Sequence, residues 1–275
     1  MRLLLVFLLA LAAPAAFAQD LKESIRSAAR PLAAPAFLPD SLQGAFRPFS
    51  VIMVGELHGT TEPAQFAGAL ADLLARTGDS VLLGIEARED LMGAFPGRRT
   101  EAALLASPFF QGATADGRNS EAWKALLLGA ARNPRIETFY FDSREAARDS
   151  FMALRIAAMM EAHPGWKVVT LSGNLHNKVR PVDGSPKAAW YLLEAGGRPL
   201  NGRLCSVNIA YAEVAAWANM GDGLKLHTRS SNNIYAQAAP SDNYLLFLDP
   251  RSDYDYNAIL FVKKVTASKP VNREP

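Results

Sequence analysis

The chain has 275 residues, with 29 lysines and arginines against 27 acidic residues and a formal net charge of +2. Charge so close to balance carries neither the basic footprint of a nucleic-acid binder nor a funnel for acidic substrates. The single cysteine, Cys205, excludes an internal disulfide and a thiolate metal cluster. It lies in an apolar stretch with Leu204, Val207 and Ile209 and reads as a buried structural thiol.

Residues 1 to 18 read as a signal peptide. Arg2 supplies a positive start, Leu3 to Leu11 a short apolar run, and Ala16-Phe17-Ala18 a small-x-small cleavage site before Gln19. The run is too short to span a bilayer, and no later segment reaches eighteen apolar residues. No cysteine follows it to take a lipid anchor. These features predict an exported protein, periplasmic or secreted, without a membrane span.

Residues 19 to 48 form a lead-in, with a short helix around Leu21 to Ala29 and a Pro- and Ala-rich connector through Pro48. A single α/β domain is expected over residues 49 to 265. Val51-Ile52-Met53-Val54 is an apolar run ended by Gly55, as in a buried parallel strand. Thr60 or Thr61 is placed to cap a helix with Glu62 and Pro63 in its first turn and Phe66, Leu70, Leu73 and Leu74 on its apolar face. A second strand follows at Ser80 to Ile85. Helix is expected over residues 89 to 106 with a break at Pro96-Gly97, then a loop over residues 107 to 118. Asn119 or Ser120 caps a helix through Ala131, and Ile136 to Phe141 is a third strand. A long helix over residues 144 to 162 places Phe151, Leu154, Ala158 and Met159 on one face. Trp166 to Leu171 is a fourth strand, followed by a helix around Lys187 to Glu194. Later strands are expected at residues 203 to 210, 243 to 248 and 257 to 263, and a frayed tail at residues 266 to 275. Alternating strands and helices predict an α/β fold: a mostly parallel sheet with helices on both faces and a mixed far edge.

The polar residues fall at the strand ends. Strand one runs into Glu56-Leu57-His58-Gly59, strand two into Glu86, strand three into Asp142 and strand four into Asn174-Leu175-His176-Asn177. Parallel strands bring their carboxyl ends to one edge, where ligands of open α/β sheets bind. Glu56, His58, Glu86 and His176 are therefore the candidate catalytic set. Glu56 and Glu86 follow apolar strands directly, where an unpartnered carboxylate is costly to bury. Asp142 and Asn177 also suit helix caps, His163 before Pro164 suits a helix end, and His227 lies in a polar stretch without an assigned role. Two imidazoles and two carboxylates suit two chemistries. In metal-free hydrolysis, one histidine activates water and the other protonates the leaving group. In the metal version, two histidines and a carboxylate hold a divalent ion and the remaining glutamate is the base. No nucleophile elbow and no Gly-rich phosphate loop is present.

The segment Val54-Gly55-Glu56-Leu57-His58-Gly59-Thr60-Thr61-Glu62 resembles the first motif of the superfamily joining erythromycin esterases, ChaN-type haem-binding proteins and Tiki-type metalloproteases. Glu86 matches its second acidic position. Arg148-Asp149 with Met152-Ala153 resembles its helix motif, Gly173-Asn174-Leu175-His176 its second histidine motif, and Thr266-Ala267-Ser268-Lys269-Pro270 a common ending. The esterase branch implies His58, Glu86 and His176 as the catalytic set with Glu56 in support and Arg148 to stabilise a developing oxyanion; Arg148 and Asn174 are the candidate substrate-binding residues. The haem-binding branch implies an iron-porphyrin site without turnover, often with a tyrosine ligand, for which Tyr140, Tyr211 and Tyr254 are the candidates. The expected ligand is a small molecule or a peptide, and the expected activity is hydrolysis of an ester or amide.

Overall fold

The computed structural model describes residues 19–93, 100–113, 116–194, 200, 202–219, 221, 223–249 and 254–271. Among the described residues the strands are β1 (Arg30–Pro31), β2 (Val51–Glu56), β3 (Val81–Ile85), β4 (Ile136–Tyr140), β5 (Lys167–Gly173), β6 (Leu204–Asn219), β7 (Leu224–Ser230), β8 (Asn243–Phe247) and β9 (Ala258–Val265). They form one sheet in the order β1-β8-β9-β6-β2-β5-β3-β4, with β7 paired to β6. The run from β9 through β6, β2, β5 and β3 to β4 is parallel. The pairs β8–β9, β1–β8 and β6–β7 are antiparallel, which gives the expected mixed edge.

The central strands β2 and β3 are buried along their whole length because both sheet faces are covered there. On β2, Ile52 and Val54 enter one core while Val51 and Met53 enter the other, the two-residue period of a strand. The first core is roofed by α2 (Glu62–Arg76) and α3 (Glu121–Arg132), through Phe66, Leu70, Leu73 and Leu74 and through Trp123 and Leu127. The second is covered by α4 (Arg148–Ala162) and α5 (Ala188–Glu194). The lead-in forms α1 (residues 19–28), which packs Leu21 and Ile25 against the β8–β9 edge. It also forms β1 and a buried anchor through Leu38, Leu42 and Phe46, and is thus part of the sheet's packing.

Several elements differ from the sequence expectation. Helix α4 starts at Arg148, and it buries Met152, Ala153 and Ile156; Leu154 is 65% exposed and Ala158 is exposed. The alternative stripe was as regular in spacing, and contact with the sheet decides which one is inside. Residues 109–113 of the expected loop form a helical turn, Phe109–Ala113, and helix is present at Glu89–Met92 and Glu101–Leu105; the expected break at Pro96-Gly97 lies outside the described residues. Strand β6 continues to Asn219, and β7 was not foreseen because Lys225, His227, Thr228 and Arg229 make it polar on an exposed edge. The cap of α2 is Thr61, but its side chain makes no capping bond. Glu62 instead accepts from the backbone N–H and hydroxyl of Thr266.

Residues 266–271 of the expected tail form a docked strap; residues 272–275 lie outside the described residues. The Thr61 N–H donates to the Thr266 carbonyl and the Ser268 N–H to the Gly59 carbonyl. On the other side Glu121 N–H donates to Lys269, Val271 N–H to Asn119, and Ala122 N–H to the Ser268 hydroxyl. One short segment thus ties the loop after β2 to the start of α3. Among the described residues, no helix is long and apolar enough to cross a membrane.

Candidate functional site

The register of the parallel strands assembles the site. Glu56 pairs with Gly173, and Ile85 with Leu171, so Glu56, Glu86 and the segment after β5 meet at the carboxyl edge. Two glycines set the loops. Gly59 has φ +74° and Gly117 φ +91°, and a Cβ on either would lie about 2 Å from the Trp217 carbonyl oxygen, at 1.9 and 2.0 Å. Only glycine adopts that backbone cheaply and allows so close an approach. Both the His58 loop and the Arg118 loop therefore lie directly on the β6 backbone.

The four residues singled out from the sequence come together. His58 Nδ1 lies 2.7 Å from Glu56 Oε1, and its Nε2 lies 3.9 Å from Glu86 Oε1. His176 Nδ1 lies 2.7 Å from Asp149 Oδ1, and its Nε2 lies 3.7 Å from the same Glu86 oxygen. Each imidazole is thus fixed through Nδ1 by a carboxylate, and both turn Nε2 toward one point at a distance too long for a hydrogen bond. Gly173 lines this point: a Cβ there would lie 3.3 Å from His58 Nε2.

Glu86 is fully buried and held from several sides. Arg118 Nη1 donates to its Oε1 at 3.0 Å and to its carbonyl at 2.7 Å; Arg148 Nη2 donates to Oε1 at 2.6 Å; the Gly173 N–H donates to Oε2. Burial alone would raise its pKa, but His58, Arg118, His176 and Arg148 together bring it below the ordinary 4.5. Asp142 shares the same two arginines, at 3.1 Å from Arg118 and 2.6 Å from Arg148, and is also held below its usual range despite burial. It serves the cluster and does not cap α4, whose N-terminal neighbour is Ala147. For His58, burial favours the neutral ring, but Glu86 and Glu56 outweigh it and raise the pKa above 6.5.

Sequence reasoning did not assign roles to Arg118, Asp149 or Trp123. Asp149 lies in the Arg148-Asp149 helix motif, and its spacing before Met152 is the only signal. Arg118 and Trp123 carried no signal, since they enter from a loop and a helix that only the fold brings to this edge. Asn174 is half-buried, with its amide 3.4 Å from Asn208 Oδ1 and its carbonyl accepting from the Tyr256 hydroxyl, so it braces the loop against β6 and the segment before β9. His163 is the C-cap residue of α4, Cys205 is fully buried, and His227 lies on β7.

The donor set does not suit a divalent cation. Among the described residues no three His, Cys, Asp or Glu side chains are grouped as metal ligands. The nearest approach, His58, His176 and Glu86, uses a carboxylate oxygen already bound by two guanidinium groups, whose charge opposes a cation there. The adjoining cleft of about 430 Å³ is walled chiefly by Arg88, Arg118, Asp116, Asp142 and Arg148, with Ala87, Leu91 and Phe109 as its apolar lining, so it offers a porphyrin little apolar face. Of the candidate haem ligands, Tyr140 is buried in the first core, Tyr211 packs against that core, and Tyr254 packs against the α1 cluster.

No family model matches the chain, and no curated protein matches it by sequence. Its fold is shared with solved structures. A protein from Bacillus cereus superposes with a TM-score of 0.66 at 13% identity, covering 92% of this chain and 99% of that one. A succinoglycan biosynthesis protein gives 0.61 at 10% identity, covering 91% and 98%. An erythromycin esterase mutant in its open conformation gives 0.55 at 13% identity, covering 90% and 99%. The chain therefore has the erythromycin esterase fold over nearly its whole length, which agrees with the resemblance of its motifs.

Proposed function

We propose that the protein is an exported hydrolase that cleaves an ester or amide without a metal, using His58 and His176 as its proton-transfer pair. One observation carries this reading: two imidazoles, each aligned by a carboxylate on Nδ1, direct Nε2 to a common point beside a buried, arginine-bound glutamate. A carboxylate on Nδ1 selects the tautomer whose Nε2 lone pair can accept a proton.

In this reading His58 is the base. Its raised pKa makes it a stronger proton acceptor than an ordinary imidazole, and Glu56 steadies the imidazolium that forms when it takes a proton from water. His176, aligned by Asp149, enters the cycle as the imidazolium and gives its Nε2 proton to the leaving group; the proton that His58 took from water then restores it, so the cycle balances. Arg148 uses Nε and Nη2 on Asp142 and Glu86 and is one-third exposed, which leaves Nη1 as the donor for the developing oxyanion in this reading. Arg118 holds Glu86 from the buried side. The fold shared with an esterase is compatible with this chemistry but leaves the substrate open.

The test is hydrolysis of a panel of aryl esters and anilides by the wild type, His58→Ala and His176→Ala. Each variant should retain its circular dichroism spectrum and lose at least about 100-fold in kcat. Wild-type turnover retained in either folded variant would remove that histidine from the mechanism. Export is tested by sequencing the amino terminus of the protein recovered outside the cytoplasm, with a start near Gln19 expected.

A further inference from the structure

The carboxylates of the site are not supported alike. Glu86 is bound by two arginines, and Asp142 by the same two. Asp149 accepts from His176, from the Ala188 N–H at 3.0 Å and lies 3.7 Å from Lys187 Nζ. Among the described residues, Glu56 meets no cationic side chain other than His58. Its Oε1 meets His58 Nδ1 and its Oε2 accepts from the Trp123 indole N–H at 3.0 Å. These are its side-chain partners among the described residues, and Glu56 is 1% exposed.

We propose that Trp123 is a positioning residue for His58, acting through Glu56 as the donor that fixes the carboxylate whose other oxygen aligns the imidazole. This deepens the hydrolase reading and rests on it only for its kinetic arm. Two features fit such a role. Trp123 is 1% exposed and stacks on Phe109 with ring centroids 5.6 Å apart and planes 14° apart, so its indole direction is set by packing. It also stands in the first turn of α3, at the segment the strap ties to the His58 loop; Ser120 caps this turn by accepting from the Trp123 backbone N–H. The donor and the imidazole it serves are thereby held in one register. A hydrophobic side chain of similar size would fill the space equally well but would leave a buried carboxylate oxygen without a donor, a costly state. The charged groups that face His58 are Glu56, Glu86, Asp116 and Arg118, with Arg148 and His176 acting across Glu86.

The experiment uses the intact protein and nitrogen-15 NMR. In the wild type, the Trp123 indole N–H resonance should move with pH at the same midpoint as His58, since both groups bind one carboxylate; an indole resonance that stays still through that midpoint overturns the proposal without any variant. Trp123→Phe keeps the ring stack and removes the donor. It should shift the His58 titration and reduce the population of the tautomer with a free Nε2, while His176, aligned by Asp149, stays unchanged. Loss of kcat should be about 10- to 100-fold, the range for outer partners of functional imidazoles, with KM within about twofold. A folded Trp123→Phe protein with the His58 titration and tautomer of the wild type overturns the proposal. If the NMR changes appear but no ester or amide is cleaved by the wild type, the positioning role stands and the hydrolase reading falls.

Discussion

The two histidine arms reach the same point from opposite faces of the sheet, and they are built differently. On the His58 side every support is interior: Glu56 is buried at the end of β2, Trp123 comes from α3, and the strap sews Gly59 and Thr61 to Asn119–Ala122. On the His176 side the aligning carboxylate is on α4 and is partly exposed, with side-chain accessibility of 18%, and it has a backbone N–H and a lysine as extra partners. The difference teaches that alignment can rest either on one buried hydrogen bond per oxygen or on several exposed ones. The first arrangement should be rigid and intolerant, the second tolerant of losing one partner.

The largest effect that sharpens this comparison is on turnover. Glu56→Gln and Asp149→Asn each replace a carboxylate on Nδ1 by an amide, and each should lower kcat by about 100-fold or more. Glu56→Gln should in addition lose stability in urea unfolding, while Asp149→Asn should lose little, because its amide oxygen can still accept from Ala188. Equal stability losses would break the comparison. Next comes Glu86→Gln, which leaves Arg118 and Arg148 facing a neutral group in the buried cluster; unfolding should cost about 3–5 kcal/mol less than in the wild type. Ending the chain after Val265 removes the strap, whose hydrogen bonds contribute about 0.5–1.5 kcal/mol each. Hydrogen exchange should then accelerate at residues 58–61 and 119–123 and stay unchanged at residues 174–177; a uniform increase would show that the strap has no preference for one arm.

The smallest effects are in pH dependence, and their signs differ. Glu86 and Asp142 are held below their ordinary pKa values, so their contribution to stability is present above about 4.5 and 3.8 and is lost as pH falls through the lowered values. His58 is raised above 6.5, so its contribution is full below 6.5 and is lost as pH rises through the raised value. Urea midpoints should therefore decline on both sides. Since a base must be unprotonated, turnover should rise with pH through that same raised value, and Glu86→Gln should move this acid limb downward. An acid limb that stays in place in that variant would dissociate Glu86 from His58.

Much of the fold and half of the cluster were legible in the sequence. The four apolar runs of the parallel strands could be read because both faces of such strands are buried, and the residues that end them could then be placed at one edge by topology alone. Glu56, His58, Glu86 and His176 were found in this way. Hidden from that reading were β7, whose polar exposed edge carries no apolar period, and the buried face of α4, where two stripes had equal spacing. The strap was hidden too: six residues joined chiefly by backbone hydrogen bonds look like any polar tail.

Local sequence thus determined the strands, the loops that follow them and the chemical types available at the sheet's edge, because these depend on neighbouring residues and the sheet's period. Tertiary structure alone decided which partner each of them met. Trp123 reaches Glu56 across 67 positions, Arg118 reaches Glu86 across 32, and Asp149 reaches His176 across 27. No local pattern encodes such pairings, because they come from the order in which strands are laid side by side and from which helix face the sheet accepts.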